Sequence, residues 1–347
     1  MKQARIGIVG LGFMGTTHWG VYKGLKNARI VAIADGDARK RAGDVSAVVG
    51  NIGGGDNSKP LDMSGVKVYD NARALIADAD VDVVDVCVPT PYHADIVCAA
   101  LAAGKHVFCE KPLCRDASQL KRIVAAAKRA KGFFNVGLCV RAWPEYRHAW
   151  EYYRSGKAGK MRSATFKRVS PSVDGNAWRN WFMDGSMSGG ALLDLHVHDA
   201  DQVNCFFGLP KSVSAAGARG IVSKGGVDHV IAHYNYGDGT FVTAEGGWAA
   251  AKGTPFEMSF TIVCEKATLK LDASGYHIYP VKGKALAPKL KVKSGPTGWH
   301  QELAYFVDSV VKGVRPDKYQ TLDSVADTMR LIFAEERSVA TQRPVRL

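Results

Sequence analysis

The chain has 347 residues, of which 46% are hydrophobic and 23% charged, and its 46 Lys and Arg against 33 Asp and Glu give a formal net charge of +13. A soft prior of about 150 residues per domain predicts two domains. This composition excludes a disordered or fibrous chain, and no stretch approaches the ~18 uncharged apolar residues that a membrane helix needs. The N-terminal segment runs into glycines too soon to be a signal peptide.

Residues 1–140 alternate short β-branched runs with helical patterns. The alternation predicts a doubly wound α/β domain, and strands that are apolar throughout predict a parallel sheet covered on both faces. A glycine-rich stretch at 50–65 is expected to be a surface insertion. The predicted strands are 5–10, 30–34, 66–69, 81–88, 106–109 and 134–138, and the helices include 95–103 and 117–130.

Residues 141–347 have a different rhythm, which predicts an α+β domain with a mostly antiparallel open sheet. Gly237-Asp238-Gly239 is typical of a hairpin turn between two of its strands. The closing helices over 300–339 are candidates for packing back on the first domain. The predicted helices are 144–154, 190–207, 300–311 and 322–339, and the strands are 162–169, 212–221, 229–236, 240–248, 257–264 and 268–271.

A glycine fingerprint follows the first strand. Gly10, Gly12 and Gly15 stand in Gly10-Leu-Gly12-Phe13-Met14-Gly15, directly before a helical pattern. The first glycine makes the tight turn, the second lets a pyrophosphate approach, and the third permits close packing of helix on strand.

Asp35 ends the next strand, 20 positions after Gly15. A carboxylate at this spacing binds the adenosine ribose and favours NAD over NADP, because it repels a 2′-phosphate. The three basic residues 39–41 leave NADP possible, or they are simply the solvated first turn of a helix.

Two further motifs follow strands of the same sheet. Thr90-Pro91-Tyr92-His93 comes after the fourth strand, and Glu110-Lys111-Pro112 ends the fifth. Ligands of open α/β sheets bind at the carboxyl ends of the strands, so a lysine there faces the nicotinamide region unless it is an ordinary loop lysine.

In these motifs and their order the chain resembles the Gfo/Idh/MocA oxidoreductase family over nearly its whole length. The resemblance implies that Glu110, Lys111 and Pro112 are the signature tripeptide, with Lys111 beside nicotinamide and substrate. It also implies that Thr90, Pro91 and His93 line the cofactor, together with Phe13 and Met14 of the glycine turn.

The segment from Gly189 to Asp201 carries a second set of polar residues. On one helix Asp194 would lie beside His198, and a carboxylate orients an imidazole and suits it to acid/base work. The resemblance implies that His198 takes the hydroxyl proton, Asp194 modulates it, and Lys111 polarises the same oxygen. His196 stands where many relatives have glycine, and it either tunes the substrate or serves packing.

His196 and His198 also form the His-x-His pattern of some metal-dependent hydrolases. Positions i and i+2 do not share a face of a helix, so no metal site is expected here.

Substrate contacts are predicted from Arg141, Trp178 and Arg179, because an indole stacks on a sugar ring and a guanidinium binds its oxygens. The alternative for Trp178 and the neighbouring Trp181 is a hydrophobic cover or a dimer surface. A run of lysines in the second domain is expected to lie on an edge hairpin and not to bind nucleic acid. Its members are Lys282, Lys284, Lys289, Lys291 and Lys293.

The sequence therefore predicts an NAD-dependent oxidoreductase of a sugar, sugar acid or cyclitol, acting as a homodimer or homotetramer without nucleic acid or membrane partners. Two alternatives stay open: a glycoside-cleaving enzyme with tightly bound NAD, and a non-catalytic NAD-binding sensor. The seven cysteines form no Cys-x-x-Cys pair, which predicts reduced thiols and a cytoplasmic location.

Overall fold

The computed structural model describes residues 2–50, 59–172, 178–290, 292, 295 and 297–347, with the side chains of Trp178 and Arg179 outside the described residues. The central part of the predicted 50–65 insertion, residues 51–58, also lies outside them.

The strands are β1 (Ala4–Val9), β2 (Ala28–Ala34), β3 (Lys67–Tyr69), β4 (Val83–Val86), β5 (His106–Glu110), β6 (Phe134–Gly137), β7 (Met161–Pro171), β8 (Ser212–Arg219), β9 (Val227–Asn235), β10 (Phe241–Ala250), β11 (Glu257–Cys264), β12 (Ala267–Asp272), β13 (Gly275–Pro280) and β14 (Val345–Arg346). The helices are α1 (Phe13–Gly24), α2 (Ala38–Arg41), α3 (Ala72–Ala77), α4 (His93–Ala102), α5 (Ala117–Arg129), α6 (Pro144–Arg154), α7 (Gly185–Ser188), α8 (Gly190–Asp194), α9 (Val197–Phe207), α10 (Gly298–Lys312) and α11 (Leu322–Thr341). Short 3₁₀ turns occur at Thr90–Tyr92, Cys139–Ala142 and Trp178–Met183.

The chain divides into two compact units. The first comprises residues 1–139, 175–181 and 299–322, and the second comprises 140–174, 182–298 and 323–347. Of the two closing helices, α10 therefore belongs to the first unit, whereas α11 belongs almost entirely to the second.

The first unit contains a parallel six-stranded sheet in the order β3-β2-β1-β4-β5-β6. This is the doubly wound order, in which a crevice opens at the carboxyl ends of the strands. Its core joins β1 to α1 and α10 through Ile6, Tyr22, Phe108 and Phe306, all at most 1% exposed. The sheet thus brings the ends of β1, β2, β4 and β5, where the predicted cofactor residues lie, to one edge.

The second unit contains an eight-stranded sheet in the order β13-β12-β11-β7-β10-β9-β8-β14. All its pairs are antiparallel except that of β7 with β10. In β9 and β10 buried and more exposed residues alternate over most of each strand, as expected for a sheet with one covered face. The predicted fold class is confirmed.

Differences from the prediction concern short or irregular elements. The sequence did not predict β13 and β14. The hairpin at residues 236–240, in contrast, lies where the sequence predicts it, with Asn235 paired to Phe241. β13 is an edge strand and the basic run follows it; Lys291 and Lys293 lie outside the described residues. In the described part of the chain, no helix is both long enough and apolar enough to span a membrane. The seven cysteines are all free of disulfide bonds.

Candidate active site

The glycine turn between β1 and α1 leaves no room for side chains at two of its positions. Gly10 has φ +93°, and a Cβ there would lie 2.5 Å from the carbonyl oxygen of Cys87. A Cβ on Gly15 would lie 1.9 Å from the carbonyl oxygen of Gly10. The fold itself requires these two glycines, because α1 packs directly on the turn.

Gly12 differs from its neighbours. Its backbone is extended, with φ −80°, and a Cβ there would have nothing within 4 Å. No side chain caps α1, and its first turn, which includes Phe13 and Met14, holds no acidic residue. The open space and the uncapped backbone N–H groups fit the diphosphate of a dinucleotide.

Asp35 lies at the end of β2 beside this turn. Its Oδ2 accepts a hydrogen bond from the N–H of Leu11 at 2.7 Å, and its Oδ1 accepts one from the N–H of Asp37 at 2.8 Å. These bonds hold the carboxylate where a ribose is expected. Arg41 donates to the carbonyl oxygens of Asp35 and Gly36, so its guanidinium is engaged with the backbone.

His93 links the two motifs that follow β4 and β5. Its Nε2 lies 2.8 Å from the carbonyl oxygen of Val88, and its Nδ1 lies 3.0 Å from that of Pro112. Burial lowers the pKa of His93, although both carbonyl groups favour the protonated ring. His93 is 1% exposed and Thr90 is equally buried, so both side chains pack inside the unit, beneath the carboxyl ends of β4 and β5.

Glu110 and Lys111 have different environments although they are adjacent. Glu110 is 4% exposed, and its Oε2 accepts a hydrogen bond from the N–H of Lys111 at 3.2 Å. Lys111 is half-buried, directly after the end of β5, and a cis peptide bond joins it to Pro112. The lysine is therefore the member of the tripeptide that can reach a ligand.

In the second unit, the helix predicted over 190–207 is two helices, so this prediction is wrong. The N–H of His196 bonds to the carbonyl oxygen of Ala191, five residues earlier, at 2.8 Å. This π-type bond ends α8 at Asp194, and α9 begins at Val197. Asp194 and His198 therefore flank a break instead of standing one turn apart on a continuous helix. Such breaks are frequent at functional sites.

The acidic residues after His198 are held by buried arginines. Arg168 binds Asp199 at 2.8 Å, and Arg141 binds Asp201 through two bonds of 2.8 and 2.6 Å. His198 and Asp194 retain 9% and 8% exposure, whereas Asp199 and Asp201 are at most 1% exposed. Arg141, a predicted substrate contact, instead neutralises Asp201 and is 5% exposed.

His196 has a packing role. It is completely buried, its Nε2 lies 3.0 Å from Oε2 of Glu335, and a Cβ on Gly246 would lie 2.6 Å from the ring. Burial opposes the imidazolium, but Glu335 raises the pKa of His196 above its ordinary value. Of the two roles left open by the sequence, this position favours packing.

Among the described residues, the group of side chains close enough to share a metal ion is His18, Asp85 and Cys87, which includes neither His196 nor His198. The side chains of Trp178 and Arg179 lie outside the described residues. His18 is not among the residues predicted from the sequence. The sequence pattern that could have identified His18 is a polar residue three positions after Gly15, next to Trp19 on the buried face of α1.

The sheet order, the open glycine turn and Asp35 together define a dinucleotide-binding Rossmann domain joined to a second α+β unit. The sequence model described as "Oxidoreductase family, NAD-binding Rossmann fold" matches residues 4–138, and that of the GFO/IDH/MocA C-terminal domain matches residues 146–270. The chain belongs to the Gfo/Idh/MocA oxidoreductase family.

Curated relatives include inositol 2-dehydrogenase of Rhizobium meliloti, 30% identical over 62% of this chain and 58% of its own length. Levoglucosan dehydrogenase of Pseudarthrobacter phenanthrenivorans is 29% identical over 62% of this chain and 54% of its own length. The alignments thus span little more than half of each relative.

Solved structures share the fold over the whole chain. A levoglucosan dehydrogenase in complex with NADH and levoglucosan has a TM-score of 0.82 at 20% identity, covering 99% of both chains. The WlbA dehydrogenase of Bordetella pertussis in complex with NADH and UDP-GlcNAcA has a TM-score of 0.83 at 17% identity, covering 100% of this chain and 98% of its own.

Proposed function

We propose that this protein is an NAD-dependent oxidoreductase that transfers a hydride between a hydroxyl carbon of a sugar, sugar acid or cyclitol and nicotinamide. The observation that carries the proposal is the rim of the first unit, where Gly12, Asp35 and Lys111 follow the carboxyl ends of β1, β2 and β5. This is the edge at which open α/β sheets bind their ligands.

The chain's own residues have separate roles in this proposal. NAD, when bound, supplies the hydride acceptor or donor. Lys111 binds and polarises the reacting oxygen of the substrate, His198 takes its proton, and Asp194 orients the imidazole. Lys111 belongs to the first unit and the other two residues to the second, so their joint action is inferred from the family resemblance.

The substrate class is supported by the names of the relatives, which act on inositol and levoglucosan. Trp178 and Arg179 remain the proposed substrate contacts, since an indole packs on the apolar face of a ring and a guanidinium binds its hydroxyl groups. Arg141 and His196 are not proposed as substrate contacts, because both are engaged in buried ion pairs.

The test begins with nucleotide analysis of the denatured protein, which shows whether NAD copurifies. Steady-state assays then follow the absorbance of NADH with myo-inositol, levoglucosan, glucose and gluconate, each with NAD and with NADP. Net reduction of NAD by one of these supports the proposal. Release of the aglycone from an aryl glycoside without net NADH would favour the glycoside-cleaving alternative, and NAD binding without turnover of either kind would favour the sensor.

Lys111→Met tests the proposed chemistry directly. Removing a charged group that acts on the reacting oxygen is expected to lower kcat by about 10²–10³-fold. The matched control is Lys121→Met, which removes an exposed lysine of α5 and is expected to leave kcat unchanged. Full activity of Lys111→Met would refute the mechanism.

We also propose a cytoplasmic homo-oligomer. The support is the set of unbridged cysteines and the open sheet of the second unit, on which Ile231 is 51% and Phe241 56% exposed. Light scattering of the purified protein, with Ile231→Lys as an interface variant, tests the assembly. A monomer at micromolar concentration would refute it.

A further inference from the structure

A buried polar cluster lies directly beneath the glycine turn of the first unit. It consists of His18 on α1, Asp85 on β4, Cys87 just after β4, Glu110 on β5 and Glu302 on α10. His18 and Asp85 are completely buried, Glu302 is 2% exposed and Glu110 is 4% exposed. The mechanism proposed above uses none of these side chains.

Both ring nitrogens of His18 face carboxylate oxygens. Nδ1 lies 2.8 Å from Oδ2 of Asp85, and Nε2 lies 3.1 Å from Oε1 of Glu110. A neutral imidazole carries one N–H and one lone pair, so a neutral ring would set a lone pair against one carboxylate. Nδ1 is hydrogen-bonded to Asp85, whereas the contact of Nε2 with Glu110 is an ion pair without hydrogen-bond alignment. A doubly protonated ring makes both contacts attractive.

The surrounding groups agree with this charge state. Burial opposes an imidazolium, but the charge and hydrogen bond of Asp85 outweigh it and raise the pKa of His18 well above its ordinary value. Burial and the charge of Glu110 raise the pKa of Glu302 well above its ordinary value, and burial also raises the pKa of the Cys87 thiol. Further polar neighbours are Tyr22 on α1, whose pKa is raised by burial and by Asp85, and Cys109 on β5, whose pKa is raised by burial and by Glu110. Asp85 therefore favours an imidazolium at His18, and burial favours the neutral forms of Glu302, Cys87 and Tyr22.

Glu110 transmits this anchoring to the rim. One carboxylate oxygen contacts His18, and the other accepts the N–H of Lys111. On the far side β6 packs tightly, because a Cβ on Gly137 would lie 2.5 Å from Oε1 of Glu110. The carboxylate thus lies between His18 and β6, and its second oxygen holds the backbone N–H of Lys111.

We propose that His18 is a positioning residue, which as an imidazolium bridging Asp85 and Glu110 fixes the end of β5 from which Lys111 projects. The inference rests on the proposed function of Lys111. It gives the glutamate of the tripeptide an internal role, because Glu110 holds Lys111 in place and does not touch the substrate.

The same atoms of His18, Asp85 and Cys87 are near enough to one another to hold a metal ion. The 2.8 Å between Nδ1 and Oδ2 is a hydrogen-bond length, and the opposite nitrogen lies 3.1 Å from a second carboxylate. A hydrogen bond at Nδ1 and an ion pair at Nε2 therefore account for the two contacts without a metal ion.

The first experiment is NMR of ¹⁵N-histidine-labelled protein, with the His18 signals assigned by their loss in His18→Gln. We expect both ring nitrogens of His18 to carry protons at about pH 8, where an ordinary histidine with a pKa near 6.5 is neutral. A neutral ring at this pH would overturn the proposal. So would one equivalent of tightly bound zinc in the purified protein.

The second experiment compares kinetics of His18→Gln, Glu110→Gln and the double variant. A displaced lysine is expected to lower kcat by about 10–100-fold, while the KM for NAD changes less than about threefold. If His18 acts through Glu110, the double variant is no slower than the slower single variant. The control is His106→Gln at the opposite end of β5, which is expected to keep wild-type kcat.

Multiplicative losses in the double variant, or wild-type kcat in His18→Gln, would overturn the proposal. Failure of the proposed function is a separate outcome: it is detected by Lys111→Met keeping its activity, whereas the NMR measurement needs no turnover. Should His18→Gln not fold, His18→Asn is used for the assignment, and the wild-type spectrum still decides the charge state.

Discussion

Glu302 offers a quantitative test of the buried cluster, independent of catalysis. This carboxyl group on α10 is 2% exposed, and burial together with the charge of Glu110 raises its pKa well above the ordinary value of 4.5. Between the ordinary pKa and the folded pKa, the folded protein therefore retains a proton that the unfolded chain has released. Unfolding releases this proton, so the free energy of unfolding falls as the pH rises above 4.5 until it passes the folded pKa.

The magnitude follows from the linkage relation. One proton released on unfolding changes the free energy of unfolding by about 1.4 kcal/mol per pH unit. Glu302→Gln has nearly the same shape and cannot ionise. We expect its stability relative to the wild type to increase with pH, by up to about 1.4 kcal/mol per pH unit, from pH 4.5 up to the folded pKa of Glu302.

Urea unfolding at closely spaced pH values, followed by the fluorescence of Trp19 and Trp299 in the first unit, measures this difference. The matched control is Glu151→Gln, because Glu151 on α6 is exposed and its ion pair with Arg147 lies at the surface, where such pairs contribute little to stability. Its stability relative to the wild type should not change with pH. A Glu302→Gln difference that is equally independent of pH would refute the reasoning, since it would mean that Glu302 is ionised in the fold.

Three further predictions concern the rim and the second unit. Gly12→Ala should lower the free energy of unfolding of the apoprotein by only about 0.5–1 kcal/mol, since a Cβ there meets open space, yet raise the Kd for NAD by at least about tenfold. Gly15→Ala should instead prevent folding. Calorimetry and cofactor titration distinguish these results, and normal NAD affinity of Gly12→Ala would contradict the prediction for Gly12. Asp35→Asn should shift the ratio of kcat/KM for NAD over NADP at least about tenfold toward NADP, and an unchanged ratio would remove Asp35 from ribose binding. Arg141→Met should lower the free energy of unfolding by about 3–5 kcal/mol, because it leaves the buried charge of Asp201 without its ion-pair partner. Adding Asp201→Leu should restore most of the lost stability. An altered KM at wild-type stability would instead indicate that Arg141 contacts the substrate.

The parallel sheet could be predicted from the sequence because its signals are local. Apolar runs, glycine turns and helix patterns recur in order, and each strand of the first unit was placed within two residues at either end. β13 and β14 could not be predicted in the same way. β14 has only two residues, and it forms by pairing Val345 with Val213, more than 100 positions away.

The site was harder to predict where partners come from distant parts of the chain. From the sequence alone Arg141 is predicted to be a substrate contact, because Asp201, which binds it in the fold, lies 60 positions later in the chain. The ring of His196, at the helix break, is buried against Glu335 and Gly246, neither of which is near in sequence. Periodicity describes one element at a time, and these roles are set by contacts between elements.

The first unit is discontinuous, and this has a consequence for its biosynthesis. Leu303, Phe306, Val307 and Val310 of α10 lie in the same core as β1 and α1, each at most 5% exposed. A ribosome delivers these residues only after most of the second unit, including β7 to β13, has been synthesised. During translation the nascent Rossmann sheet therefore exposes an apolar face that α10 covers later. We expect chaperones to bind this face on the ribosome, and fragments that end near residue 140 to aggregate.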